Sequence, residues 1–129
     1  MIGIDTNVLV RVLVEDAKQP HQTQVARALV CSAPQVYVSQ IVQVETVWVL
    51  ESAYKFDKTS IIQALEQLSQ NDALVLQRIE SFLLAIELYR QSSVDFSDCL
   101  VLVDNQQQQV PLYTFDKRLS KQIGAKLLK

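Results

Sequence analysis

Met1 to Ile4 is a short apolar run that stops at Asp5-Thr6-Asn7, after which Val8, Leu9, Val12 and Leu13 recur at helical spacing. The pattern predicts a buried strand that turns directly into a helix. Glu15 to His21 is polar, and Val25, Ala28, Leu29 and Val30 then give a second helix its apolar stripe, up to Ser32-Ala33-Pro34. Val36-Tyr37-Val38 is a short strand of β-branched and aromatic residues. Ser39 opens a strongly apolar helix to about Tyr54, and Thr59 or Ser60 opens another through Leu68. Asn71-Asp72 breaks that pattern before a third strand, Ala73 to Leu76. Arg78 to Arg90 reads as an amphipathic helix, with Ile79, Phe82, Leu83, Ile86 and Leu88 or Tyr89 on its apolar side. A further helix begins near Phe96 and fades into Gln106 to Gln109, a run short enough to be a solvated last turn. Val110 to Thr114 makes a fourth strand with Pro111 at its start, and Asp116 opens a short final helix. Strands separated by helices imply an α/β fold, a three-layer α/β/α sandwich with a mainly parallel central sheet.

A chain of 129 residues, 49% of them apolar, with only 2 Gly and 3 Pro, suits one domain with a continuous core, so residues 1–129 are read as a single unit without repeats or linkers. Cys31 and Cys99 lie far apart in apolar-periodic segments and form no Cys-x-x-Cys or zinc-spaced pattern, which predicts buried thiols in a reducing compartment. The apolar start carries Asp5 and Arg11 and no basic leader, and no stretch reaches the roughly 18 apolar residues that cross a bilayer. A cytoplasmic protein without membrane attachment is expected. With 14 acidic against 12 basic side chains and a net charge of −2, binding of nucleic acid by bulk positive charge is excluded.

Sites in open parallel sheets lie beyond the carboxyl ends of the strands. Asp5 follows the first strand, Asp116 follows the fourth, and Asp98 lies in the first turn of the helix after Ser92-Ser93-Val94-Asp95. Each has a purely structural explanation, because Asp is favoured as a helix N-cap and its charge suits that end of the helix dipole. Glu45 weakens that explanation for the set. Its helical neighbours are Ile41, Val42, Trp48 and Val49, with no Lys or Arg at i±3 or i±4, so it reads as a carboxylate on an apolar face that needs a partner from elsewhere. Glu51, with Lys55 four residues on, needs none. Asp5, Glu45, Asp98 and Asp116 together supply only hard oxygen donors, which favour Mg²⁺ or Mn²⁺ over zinc and suit hydrolysis of a phosphodiester.

The pattern resembles the PIN-domain ribonucleases, and within them the small single-domain toxins of VapC type from toxin–antitoxin pairs. The resemblance covers nearly the whole chain. It rests on the strand ending in Asp5-Thr6-Asn7, on Val38-Ser39 before the helix bearing Glu45, on Asp95-Phe96-Ser97-Asp98, and on Thr114-Phe115-Asp116. It implies that the four acids are catalytic and bind Mg²⁺ or Mn²⁺ for cleavage of RNA, that Thr6, Asn7 and Thr114 support the site, and that Asp95 stands behind it. It also implies a cognate antitoxin that blocks the site and a homodimer. Two features depart from the family pattern: Cys99-Leu100-Val101-Leu102 replaces the usual small residues, and four Gln stand where a Gly often precedes the last strand.

Arg11, Lys117 and Arg118 adjoin these acids in sequence and are possible RNA contacts, although solvated helix faces explain them equally well. His21, the only His, is expected as a surface or capping residue, and Trp48 as a core residue or interface anchor. Two other readings compete. A receiver-like regulatory module would need a pair of adjacent acids early in the chain and a Lys at the end of the last central strand, whereas the first strand here offers one acid and the last offers Thr114-Phe115-Asp116. A non-catalytic interaction protein of the same fold would not respond to Mn²⁺. With the four proposed ligands set aside, 14 acids become 10 against 12 bases, so the net charge leaves room for a small metal-dependent phosphate site.

Overall fold

The computed structural model describes residues Met1–Lys129. Their packing divides into two compact units, Met1–Ile79 and Glu80–Lys129.

The first unit is built on a three-stranded parallel sheet in the order β1-β2-β3, with β1 at Ile2–Gly3, β2 at Val36–Val38 and β3 at Leu74–Leu76. Ile2 pairs with Val36, and Val36 with Leu74, so the three strands start level with one another, and β1 ends one residue before β2 and β3. Helices α1 (Thr6–Leu13) and α2 (Pro20–Ser32) connect β1 to β2, and α3 (Gln40–Ser52) and α4 (Lys58–Gln70) connect β2 to β3. Each start has a local cause. The side chains of Asp5, Ser39 and Asp57 accept from backbone N–H groups in the first turns of α1, α3 and α4, and Pro20 occupies the first position of α2, where its missing N–H costs nothing. Leu9, Val36, Val38, Leu50 and Leu65 are fully enclosed and form the centre of this unit. The stripe expected on α2 is displaced. Thr23, Ala26 and Val30 are buried while Val25 and Leu29 face solvent, because the small side chains let α2 approach α1 closely.

The second unit holds α5 (Ile79–Gln91, but for its first residue), α6 (Phe96–Gln107) and a parallel pair of strands, β4 (Leu112–Thr114) and β5 (Ala125–Leu127). Phe82 on α5 and Phe96 on α6 meet edge to face with ring centroids 6.0 Å apart, and Tyr89 closes on Phe96 at 5.8 Å. The final helix expected after Asp116 is only a 3-10 turn, Leu119–Lys121, anchored by buried Leu119. The chain then reverses at Gly124, whose φ of 92° is strained for any other residue, into the unforeseen strand β5. The Gln run is more than a solvated helix end. Gln106 Nε2 donates to the Ile123 carbonyl at 2.8 Å, and Gln107 accepts from the Ser81 hydroxyl. Cys99 is buried as expected, but Cys31 is exposed, because it lies off the narrow stripe that α2 buries.

The α/β class and the parallel strands are therefore present as read. No helix is long and apolar enough to cross a membrane.

Candidate acidic site

In the first unit, Asp5 stands where β1 turns into α1. Its Oδ1 accepts from the Val8 amide at 3.1 Å, which is the capping role, and its Oδ2 has no hydrogen-bond partner. Thr6, the next residue, donates its hydroxyl to Glu45 Oε1 at 2.9 Å. Asp5, Thr6, Asn7, Glu45 and Trp48 line one cavity of about 370 Å³. The structure thus brings together the sequence-predicted residues of this half. It also corrects the reason for choosing Glu45. That carboxylate is exposed, and its apolar neighbours Ile41 and Trp48 are 72% and 55% exposed, so Glu45 faces solvent and not a core. Its protein partner is a hydroxyl, and Oε2 is left free.

The height of Glu45 is set by a residue that the sequence reading passed over. Gln43 is completely buried, and its Nε2 donates to the carbonyls of Val38 (3.4 Å) and Gln77 (3.0 Å), tying α3 to the ends of β2 and β3. Gln77 reciprocates, accepting the Gln40 amide at its Oε1 at 2.8 Å. A Gln amid apolar residues carries no signal of this in sequence.

A second cavity of the same unit, about 560 Å³ between α1 and α2, shares Asp5 and adds Arg11, His21, Val25 and Leu29. His21 is on the surface as expected, yet it lines a space that Asp5 also lines, which no local pattern announces. Arg11 is held firmly. It donates to Gln22 Oε1 at 2.9 Å and to the Tyr54 hydroxyl at 2.6 Å, with Asp16 Oδ2 3.8 Å away. The Lys18 amide and the Tyr54 hydroxyl hold the Asp16 carboxyl below the ordinary Asp value.

In the second unit, Asp98 lies in the first turn of α6 and Asp116 follows β4. Asp98 is half-buried and accepts no hydrogen bond. Burial first, then the negative charges of Asp95 and Asp116, push its pKa upward. Asp95 occupies the N-cap position of α6, but its side chain makes no capping hydrogen bond. Asp116 does cap. Its Oδ1 accepts from the amides of Arg118 (2.8 Å) and Leu119 (3.1 Å), while Oδ2 is unpaired. Thr114 Oγ1 accepts the Asp116 amide at 3.0 Å and fixes that turn. Asp116, Lys117 and Arg118 line a cavity of about 710 Å³ together with Ser93, Phe115 and Lys121.

The donor chemistry fits a hard divalent cation. Every candidate is a carboxylate, and the crowding that raises Asp98 is the condition a cation relieves. Within neither unit do three His, Cys, Asp or Glu side chains converge into a ready-made cage.

Comparison with curated proteins yields no match. The PIN domain family model, a nuclease-type fold, matches residues 2–124 and so runs through both units: the chain belongs to the PIN-domain family.

Proposed function

We propose that this chain is a divalent-metal-dependent endoribonuclease, the VapC-like toxin of a toxin–antitoxin pair, and that residues 1–129 work as one nuclease domain. The observation that carries the reading is the unspent oxygen on each acid that follows a strand. A pure N-cap needs one oxygen, and Asp5 and Asp116 each keep the other free.

In this reading Asp5, Glu45, Asp98 and Asp116 hold Mg²⁺ or Mn²⁺. Bound there, the ion supplies the positive charge that activates water for attack on phosphorus and stabilises the leaving oxygen. The protein's own part is orientation. Thr6 fixes one oxygen of Glu45, and Thr114 fixes the backbone that presents Asp116. Asn7 lines the cavity that Thr6 and Glu45 share, and Asp95 adds negative charge behind Asp98. Lys117 and Arg118 are exposed and available to flanking phosphates, whereas Arg11 must share its guanidinium with Gln22 and Tyr54.

A nuclease of this kind in the cytoplasm would attack the RNA of its own cell, so a cognate antitoxin is required to cover it. The exposed Ile41 and Trp48 on α3 supply apolar surface for a homodimer.

The test is cleavage of structured and unstructured RNA by purified protein in Mg²⁺, Mn²⁺ or chelator, beside Asp5→Asn. Cleavage is expected with either metal and none in chelator. The variant should be slower by about a thousandfold, since loss of one ligand forfeits several kcal/mol of charge stabilisation. Full activity in Asp5→Asn sinks the metal mechanism. Growth arrest on expression, relieved by co-expression of the neighbouring reading frame, separates toxin from housekeeping nuclease.

A further inference from the structure

Phe115 is 76% exposed, although it directly follows a strand whose Leu112 and Thr114 are partly covered. Burial of a Phe side chain is worth about 1.5–3 kcal/mol, and this one forgoes it. Its surroundings are unlike those of a stray surface apolar residue. It shares a cavity of about 710 Å³ with Lys117, Arg118 and Lys121, and Asp116 is the one acid of the lining. From Phe115 to Lys129 the chain carries five basic residues and one acid, in a protein whose net charge is −2. The platform is also rigid. Asp116 Oδ1 pins the amides of Arg118 and Leu119, Leu119 is buried beneath, and one nitrogen of Arg118 donates to the Ser93 carbonyl at 3.4 Å.

An exposed aromatic face rimmed by cations has the chemistry of a single-strand binding subsite. Unpaired bases stack on aromatic rings, and basic side chains track the phosphates between them. We propose that Phe115 stacks an unpaired base of the RNA while Lys117, Arg118 and Lys121 take the phosphates on either side. This rests on the nuclease reading and extends it: Asp116 adjoins Phe115 in the chain, so the stacked base lies close to the bond that is cut and selects for unpaired RNA.

The experiment measures binding apart from cleavage. Fluorescein-labelled single-stranded RNA, single-stranded DNA and blunt duplex RNA of one sequence are titrated in chelator, by anisotropy, with wild type, Phe115→Ala, Phe115→Leu, Phe115→Trp and Lys121→Gln. Phe115→Ala and Phe115→Leu should each weaken single-stranded RNA binding about tenfold, and Phe115→Trp should retain it. Duplex binding should be the same for wild type and all three Phe115 variants, and melting temperatures should not move because the side chain is exposed. Lys121→Gln should lower the salt dependence of binding by about one counterion. Single-stranded DNA held as tightly as RNA extends the subsite to any unpaired strand. Equal binding by wild type and Phe115→Ala, full retention by Phe115→Leu, or an equal loss on duplex overturns the proposal. So does a co-purifying protein partner whose attachment needs Phe115 while RNA binding does not. Cleavage in Mn²⁺, followed in parallel, keeps the two ideas distinct. Phe115-dependent binding without cleavage removes the nuclease reading and leaves the subsite, whereas cleavage with Phe115-independent binding does the reverse.

Discussion

The acids of the first unit and Asp98 of the second are held by opposite means, with Asp116 capped much as Asp5 is. In the first unit Asp5 and Glu45 are exposed and organised by hydrogen bonds: a backbone amide fixes one, the Thr6 hydroxyl fixes the other, and buried Gln43 sets the helix that carries Glu45. In the second unit Asp98 accepts nothing, and its surroundings, burial with Asp95 and Asp116 nearby, disfavour its charge. A carboxylate held by donors is positioned at little cost to the fold. One crowded by other carboxylates is a standing penalty that a cation would remove. The first pair is preorganised, whereas in the second Asp116 is held by donors and Asp98 is strained in charge. Variants of the two should therefore behave differently even where both abolish cleavage.

The largest effect is expected at Gln43. Gln43→Ala leaves a hole and strips the Val38 and Gln77 carbonyls of a donor, so it should destabilise the protein by about 2–4 kcal/mol, read from urea unfolding. The side-chain Oε1 of Gln43 is itself buried and unpaired, which keeps the loss below that of a fully satisfied Gln. A change within about 0.5 kcal/mol would mean that α3 needs no tie to β2 and β3, and the contrast with the second unit would lose its basis.

Much of this contrast was legible in the sequence, and the parts that were not share a cause. Asp5 and Asp116 could be found because a strand end followed by an acid is a local pattern, and of the two like-charged neighbours of Asp98 only Asp95 is close in sequence. Burial was less legible. The helix α3 is apolar nearly all round, so its periodicity does not tell which side meets the core. Ile41 and Trp48 face solvent, and Glu45 reaches its site without being buried. On α2 the smaller residues Thr23 and Ala26 are inside while Val25 and Leu29 are exposed, which hydrophobicity alone does not foretell. β5 escaped because three residues after a Gly carry too short an alternation, and its partner β4 lies ten residues upstream.

Thr6 offers a sharper cut. Thr6→Val keeps the shape but removes the donor to Glu45 Oε1. Loss of a group that orients a metal ligand typically costs 10–100-fold in affinity, and the same is expected for Mn²⁺, read as a smaller rise in melting temperature across a Mn²⁺ titration. In chelator the variant should melt close to wild type, because the Thr6 to Glu45 contact is at the surface. A loss of stability in chelator with an unchanged Mn²⁺ response would make Thr6 a structural residue only.

The smallest effect distinguishes the second pair most cleanly. The pKa of Asp98 is raised above 3.8 in the folded chain, so between 3.8 and that raised value the native state binds more protons than the unfolded one. Stability from this group therefore falls as pH rises through that window, and the penalty is complete at neutral pH. Asp16 and Asp57 act in the opposite sense and in a lower window. Their pKa values are depressed below 3.8, so their contribution is present above it and is lost as pH falls through the depressed values. Asp98→Asn should consequently melt a few degrees above wild type at pH 7 in chelator, with the gap closing as pH approaches 4. Added Mn²⁺ should raise the wild type and not the variant, since binding of the ion and not protonation then neutralises the crowding. An Asp98→Asn protein that is less stable than wild type at pH 7 would show that this carboxylate is satisfied as it stands, and the second pair would have to be regarded, like the first, as held by donors.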